Sequence, residues 1–156
     1  MLSQATGNDM IPASYELIYK VPFKTMYMDR GLLTVISVWN AQSEFLTDAD
    51  YKKDIEDSMY LMKENNIHGM ISDNRCNKFN ISEDLQKWQA DLVSYVLGNS
   101  SFEKCAVIVS ADLNLLSALE EIKTQVENAG NPHDIFYRFF NQFREAHQWL
   151  ISKNGH

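Results

Sequence analysis

Between two apolar segments the chain strings together Asp73, Asn74, Arg75, Cys76, Asn77, Lys78, Asn80 and Ser82. A carboxylate, a guanidinium and a thiol this close together could bind a polar ligand, hold a partner or supply a nucleophile. The plainer reading is a solvated connection in which Asp73 and the asparagines satisfy turn amides. Other reactive residues are scattered. His68, His133, His147 and His156 never fall at a ligand spacing such as i, i+4, and Cys76 and Cys105 form no CxxC pair. Neither a zinc site nor a disulfide framework is expected. Cys76 has no histidine near it in sequence, so a Cys76–His68 pair would depend on the fold. There is no GxSxG elbow and no GxGxxG turn, which removes the usual support for hydrolase, nucleotide and hydride chemistry. Ser82 is followed by Glu83 and Asp84, whose charges oppose an anion at that point, so it reads as a helix cap. No cofactor is expected.

The elements that must position these residues follow from hydrophobic periodicity. Tyr15–Val21 reads as a half-buried strand with its odd positions inward, ended or bent by Pro22. Thr25–Met28 and Leu32–Trp39 read as a hairpin around Asp29-Arg30-Gly31, with Gly31 available for positive φ. Thr47 caps a helix that carries Tyr51, Ile55, Met59 and Met62 on one face and runs to about Asn66. A strand over 67–73 leads into the polar loop, and Ser82 caps a helix with the stripe Leu85, Trp88, Leu92 and Val96. The strand over 105–110 is apolar throughout, as a strand buried on both faces should be. Asp112 caps a third helix buried through Leu115, Leu119, Ile122 and Val126 and ending at Gly130. The last strand spans 134–140, and Asn141 caps a final helix with Phe143, Ala146 and Leu150. Strands first, then alternating helix and strand, predict an α/β fold. Its sheet is mostly parallel, with an antiparallel N-terminal hairpin and about four helices. Residues 1–13 are polar and aperiodic and read as a tail; 14–156 read as a single domain.

With 156 residues, 45% of them hydrophobic and 22% charged, the chain has the composition of an ordinary globular domain. Its 21 acidic and 14 basic residues give a net charge of −7. A nucleic-acid or anionic-membrane binder needs a basic face to displace counterions, and no Lys/Arg cluster supplies one. The first residues show neither a basic region nor an apolar stretch of signal-peptide length, and no segment approaches a membrane span. With only two cysteines, a reducing, cytoplasmic location is the expectation.

Three stretches carry a family resemblance. One is Val38-Trp39-Asn40 before the helix capped by Thr47. Another is Ile71-Ser72-Asp73, with Arg75 and then Phe79-Asn80-Ile81-Ser82 opening a helix that holds Leu85, Gln86 and Trp88. The third is Arg138-Phe139-Phe140, leading to Glu145-Ala146 and Trp149-Leu150. On these the chain, over about residues 15–152, resembles the SpoIIAA-like (STAS-related) domains, small cytosolic α/β proteins of bacteria. The resemblance implies a non-enzymatic regulatory or interaction module that docks a protein partner or a second copy of itself. The surfaces expected to do so lie near Trp39 and Asn40 and on the loop holding Asp73, Arg75, Cys76 and Ser82. One departure stands out. The anti-sigma-factor antagonists of this shape carry a phosphorylatable Asp-Ser-Ser-Gly-like turn where this chain reads Asp73-Asn74-Arg75-Cys76, so a phospho-switch by that route is not expected. The alternative function is a small carrier that holds an apolar or lipid-like ligand between helices and sheet, with Met26, Met28, Met59, Met62 and Met70 as its flexible lining. An enzyme built on Asp73, Arg75 or Cys76 has the least support.

Overall fold

The structure, a computed structural model, describes residues 11–109 and 111–153. Most of the tail expected over 1–13 therefore lies outside the described residues, as do Ser110 and His156. Six strands form one sheet in sequential order. They are β1 (Glu16–Val21), β2 (Lys24–Asp29), β3 (Thr34–Trp39), β4 (Gly69–Asp73), β5 (Lys104–Ile108) and β6 (Phe136–Phe140). The pairs β1–β2 and β2–β3 are antiparallel; β3 to β6 are parallel. A short 3-10 turn over Ala41–Phe45 follows β3. The helices are α1 (Asp48–Glu64), α2 (Glu83–Val96), α3 (Leu113–Glu127) and α4 (Phe143–Ile151). The mixed sheet and four helices agree with the α/β class read from the sequence.

Sequential order has a packing consequence. Crossovers of one hand that step along a sheet in one direction all place their helices on the same side. Residues of α1, α2 and α3 indeed share the larger core cluster with Met28, Val35, Cys105 and Val107 of the sheet. The opposite face belongs to α4 alone, whose Phe143, Ala146, Trp149 and Leu150 pack on Ile36, Ile71, Ala106 and Ile108. Gly69 lets α4 approach β4 closely, since a Cβ there would stand 2.6 Å from Leu150 Cδ1. Lys104 then fastens the end of α4. Its buried ammonium donates to the carbonyls of Trp149, at 3.0 Å, and Ser152, at 2.6 Å, where a helix leaves acceptors unpaired and a cation is favoured.

The caps follow the sequence signals closely. Thr47, Ser82 and Asp112 each accept a hydrogen bond from a first-turn backbone N–H. Four local expectations are corrected. The cap of α4 is Gln142, which makes no side-chain cap bond, and not Asn141. In the β2–β3 turn the Asp29 carboxylate takes the N–H groups of Gly31 and Leu32, and the left-handed residue is Leu33 (φ 55°). On β1 a register shift between Leu17 and Tyr19 breaks the alternation, as bulges do on edge strands. Ile18 and Tyr19 both pack toward the larger core, whereas Leu17 is 52% exposed. The buried stripe of α2 runs through Leu85, Ala90, Val93 and Val96, leaving Trp88 and Leu92 at its margin.

Candidate functional site

The sheet floor under α1–α3 is interrupted at its middle. Along one register row stand Met26, Ser37, Ser72, Val107 and Phe139. Two serines side by side on central strands leave room that larger apolar residues would fill. Above them lies a cavity of about 60 Å³, roofed by Tyr51, Ile55, Met59, Gln89 and Leu119. An adjoining cavity of about 50 Å³ shares Met59, Met70, Ser72, Gln89 and Leu119 with it. That second space reaches toward Val93, Phe102, Cys105 and Ile122. Of the five methionines expected as a flexible lining, Met59, Met62 and Met70 line this space. Met26 and Met28 are buried in the surrounding core.

Lys24 enters the first cavity from the start of β2, directly opposite Trp39 in the register. Its ammonium donates to Asp54 Oδ2 at 2.7 Å and to Ser58 Oγ at 2.8 Å, and stands 4.9 Å from the Trp39 ring centroid. Asp54 Oδ1 accepts the Tyr19 hydroxyl at 2.8 Å. Lys24 is 2% exposed and Asp54 3%. A charge so far out of water survives because it is paired. Burial pulls the Lys24 ammonium below the usual lysine range, and the Asp54 carboxylate opposes the shift. The Tyr19 and Tyr51 hydroxyls are pushed up, chiefly by burial. Tyr51 donates to Gln89 Oε1 and lies in a stack running Phe23, Trp39, Tyr51, Phe79.

Around this core, loops leave the C-terminal ends of β3, β4 and β5, the edge where open α/β sheets commonly bind ligands. Asn40 caps the 3-10 turn by accepting from Gln42 N at 2.8 Å, and it donates to the Pro22 carbonyl at 3.0 Å. Ser43, fully buried, donates to the Asn40 carbonyl and accepts from Lys78 N, both at 2.8 Å, which ties the β3 and β4 loops together. Asn74 and Asn77 are buried too. Asn77 Nδ2 donates to Asn74 Oδ1 at 3.0 Å, and Asn74 Nδ2 to Ser72 Oγ at 3.0 Å. The polar run is thus a braced loop with its asparagines inside. Asp73 faces the α4 side of the sheet and takes Arg75 through Nε at 2.9 Å and Nη2 at 2.7 Å, which raises Arg75 above its ordinary range. Cys76 is exposed, and Ser82 caps α2 through Leu85 N at 3.3 Å.

Trp39 therefore belongs to the buried cluster, Asn40 to the bracing between loops, and Asp73 with Arg75 to a local ion pair at the end of β4. Cys76 and Ser82 stand apart from the cavity. The Cys76–His68 option is closed, since the two residues flank opposite ends of β4. Three residues with no place among the sequence candidates carry more of the site: Lys24, Asp54 and Ser58. Their signal was present, because Asp54 and Ser58 interrupt the buried α1 face of Tyr51, Ile55, Met59 and Met62. Two exposed apolar side chains were missed as well, Phe45 on the 3-10 turn at 73% exposure and Leu113 at the start of α3 at 76%. Among the described residues there is no group of three or more His, Cys, Asp or Glu side chains placed to hold a metal ion. No helix among them is long and apolar enough to cross a membrane. Family models, curated proteins and solved structures were all compared with the chain, and none matches.

Proposed function

We propose that this chain is a non-enzymatic regulatory or interaction module of SpoIIAA-like fold, which docks a protein partner or a second copy of itself through the loops at the C-terminal edge of β3–β5. The order of three strands followed by alternating helices and strands supports the resemblance at the level of architecture. The observation that carries the docking role is the pairing of exposure with rigidity on that edge. Phe45 is exposed on the 3-10 turn after β3 and Leu113 at the start of α3, and the β3 loop is held to the β4 loop by the Ser43–Lys78 bond. An aromatic anchor on a preorganised loop loses little entropy on binding, which is the condition for a productive contact. Catalysis draws no comparable support, since Cys76 is exposed with no hydrogen-bonded base among the described residues, and the buried charges Lys24 and Asp54 are spent on each other. A carrier of lipid-sized ligands needs roughly 300 Å³ or more; the spaces between α1–α3 and the sheet, about 60 and about 50 Å³, are far smaller.

The test is cross-linking in the protein's own cells followed by affinity purification. Wild type would be compared with Phe45→Ser/Leu113→Ser and with Tyr95→Ser, an exposed aromatic on α2 away from this edge. Loss of the cross-linked species, heteromeric or dimeric, in the double variant alone is the expected result. Equal recovery by all three proteins would remove this edge as the docking surface.

A further inference from the structure

The edge that displays Phe45 and Leu113 also carries a net charge. Strands β3, β4 and β5 are parallel, so α1, α2 and α3 all begin at their C-terminal edge. The first turns of α1 and α2 hold Asp48, Asp50, Glu83 and Asp84, Asp112 caps α3, and Glu44 stands beside Phe45 on the 3-10 turn. All six are exposed. Glu44, Asp48, Asp50, Glu83 and Asp84 form no ion pair among the described residues. Further along the same helices Asp57, Asp91 and Glu127 each pair with the lysine four residues before them.

Helix dipoles favour a carboxylate in a first turn, but here they do not cancel the charge. Against the six carboxylates stand Lys52, Lys78 and three helix N-termini of about half a charge each, which leaves about two and a half negative charges. Arg75 is spent on Asp73. On the opposite edge the signs balance, with Glu64, Glu103 and Glu127 beside Lys63, Lys104 and Lys123. The polarity of the edge selects its partner. Two copies meeting edge to edge would press like charges together while burying Phe45 and Leu113, and such juxtaposition opposes association. Nucleic acid and anionic lipid are repelled for the same reason. Resting on the docking role above, we propose that this edge receives a basic segment of another protein. Its apolar side chains cover Phe45 and Leu113, and its Lys or Arg side chains meet Glu44, Asp48, Asp50, Glu83 and Asp84.

The probe is a synthetic amphipathic peptide of leucine and lysine, with glutamate replacing lysine in a control peptide, so that charge is tested without touching the fold. Amide proton–nitrogen NMR of the full chain is the readout. Saturable shifts confined to residues 41–48, 78–84 and 112–114 are expected with the lysine peptide and none with the glutamate peptide. Glu44→Gln/Asp48→Asn/Glu83→Gln should weaken binding about tenfold, the effect of three exposed charge pairs. That difference should vanish near about 1 M salt, where the Debye length is about 3 Å. Glu64→Gln/Glu103→Gln/Glu127→Gln, on the opposite edge, should bind as wild type does. In the protein's own cells the cross-linked species should be a heteromer, lost from the edge charge variant as it is from Phe45→Ser/Leu113→Ser. Shifts elsewhere, binding of the glutamate peptide, or equal weakening by both triple variants overturns the basic partner. So does a species that disappears with Phe45→Ser/Leu113→Ser but is a dimer, or survives removal of the edge charges; the docking edge itself then stands. Equal cross-linking by wild type and Phe45→Ser/Leu113→Ser removes the edge and its basic partner together.

Discussion

Replacing Asp54 by alanine leaves the Lys24 ammonium buried with Ser58 Oγ and the Trp39 face as its remaining partners. The Coulomb attraction lost at 2.7 Å is about 6 kcal/mol at an effective dielectric of 20. Much of that was offset by desolvation of the carboxylate, which the variant no longer bears. Breaking one side of a buried pair typically costs about 3–5 kcal/mol. The Tyr19 hydroxyl also loses its acceptor, and Ser58 still holds Lys24, so about 3–4 kcal/mol is expected at pH 7. For a chain of this size that lowers Tm by about 10 °C. The pH dependence gives a second readout. Burial depresses the Lys24 pKa in the native state, so above that value the unfolded chain binds more protons than the folded one. Stability from this group then rises with pH, up to the unfolded lysine pKa. Without Asp54 to oppose the shift, the rise should start at lower pH and be larger. Urea unfolding followed by far-UV circular dichroism at pH 7 and pH 9 measures both effects. Lys24→Met/Asp54→Leu replaces the pair by apolar side chains and should return to within about 1 kcal/mol of wild type. A loss below about 1 kcal/mol in Asp54→Ala, or no recovery between pH 7 and pH 9, would refute the picture of a dry, paired charge.

Two thiols should behave differently toward a disulfide reagent at pH 8. Exposed Cys76 should react in the native protein, whereas Cys105, buried and with its thiol pushed up to about 12 by desolvation, should react only after denaturation; two fast equivalents in the native state would contradict the packing of β5. Gly69→Ala should cost about 1–3 kcal/mol, because its Cβ would meet Leu150 Cδ1 at 2.6 Å and the Lys104 carbonyl at 3.3 Å and force the buried Leu150 side chain to repack; an unchanged Tm would show that Leu150 yields freely. Phe45→Ser/Leu113→Ser should stay within about 0.5 kcal/mol of wild type by urea unfolding, as exposed substitutions do, so that any loss of partner reports on docking and not on folding.

The architecture was legible because its signals are local. Thr47, Ser82 and Asp112 cap helices through their own side chains, and the stripe Tyr51, Ile55, Met59, Met62 needs only a 3.6-residue period to be recognised. Where tertiary contacts decide, the pattern misleads. Leu17 alternates correctly with its neighbours and still faces solvent, because the register shift after it turns Ile18 and Tyr19 together toward the core. Trp88 looks like the centre of the α2 stripe. It sits at the margin, however, with the Lys52 ammonium over its ring, since the helix turns Val93 and Ala90 toward the sheet instead.

The site was half legible for a related reason. Asp73, Arg75 and Cys76 attracted notice because polar residues crowd one loop, yet a loop is where polar residues carry least information. Lys24 in a strand, Asp54 and Ser58 on a buried helical stripe, and Ser37 beside Ser72 on the sheet floor each break the hydrophobic pattern of an element interior. There a polar side chain costs stability unless something compensates it. For Lys24, Asp54 and Ser58 the compensation is mutual and visible in the hydrogen bonds. Sequences depart from local consistency mainly where function requires it. Lys24, Asp54 and Ser58 therefore mark this interior as a candidate distinct from the exposed edge above it.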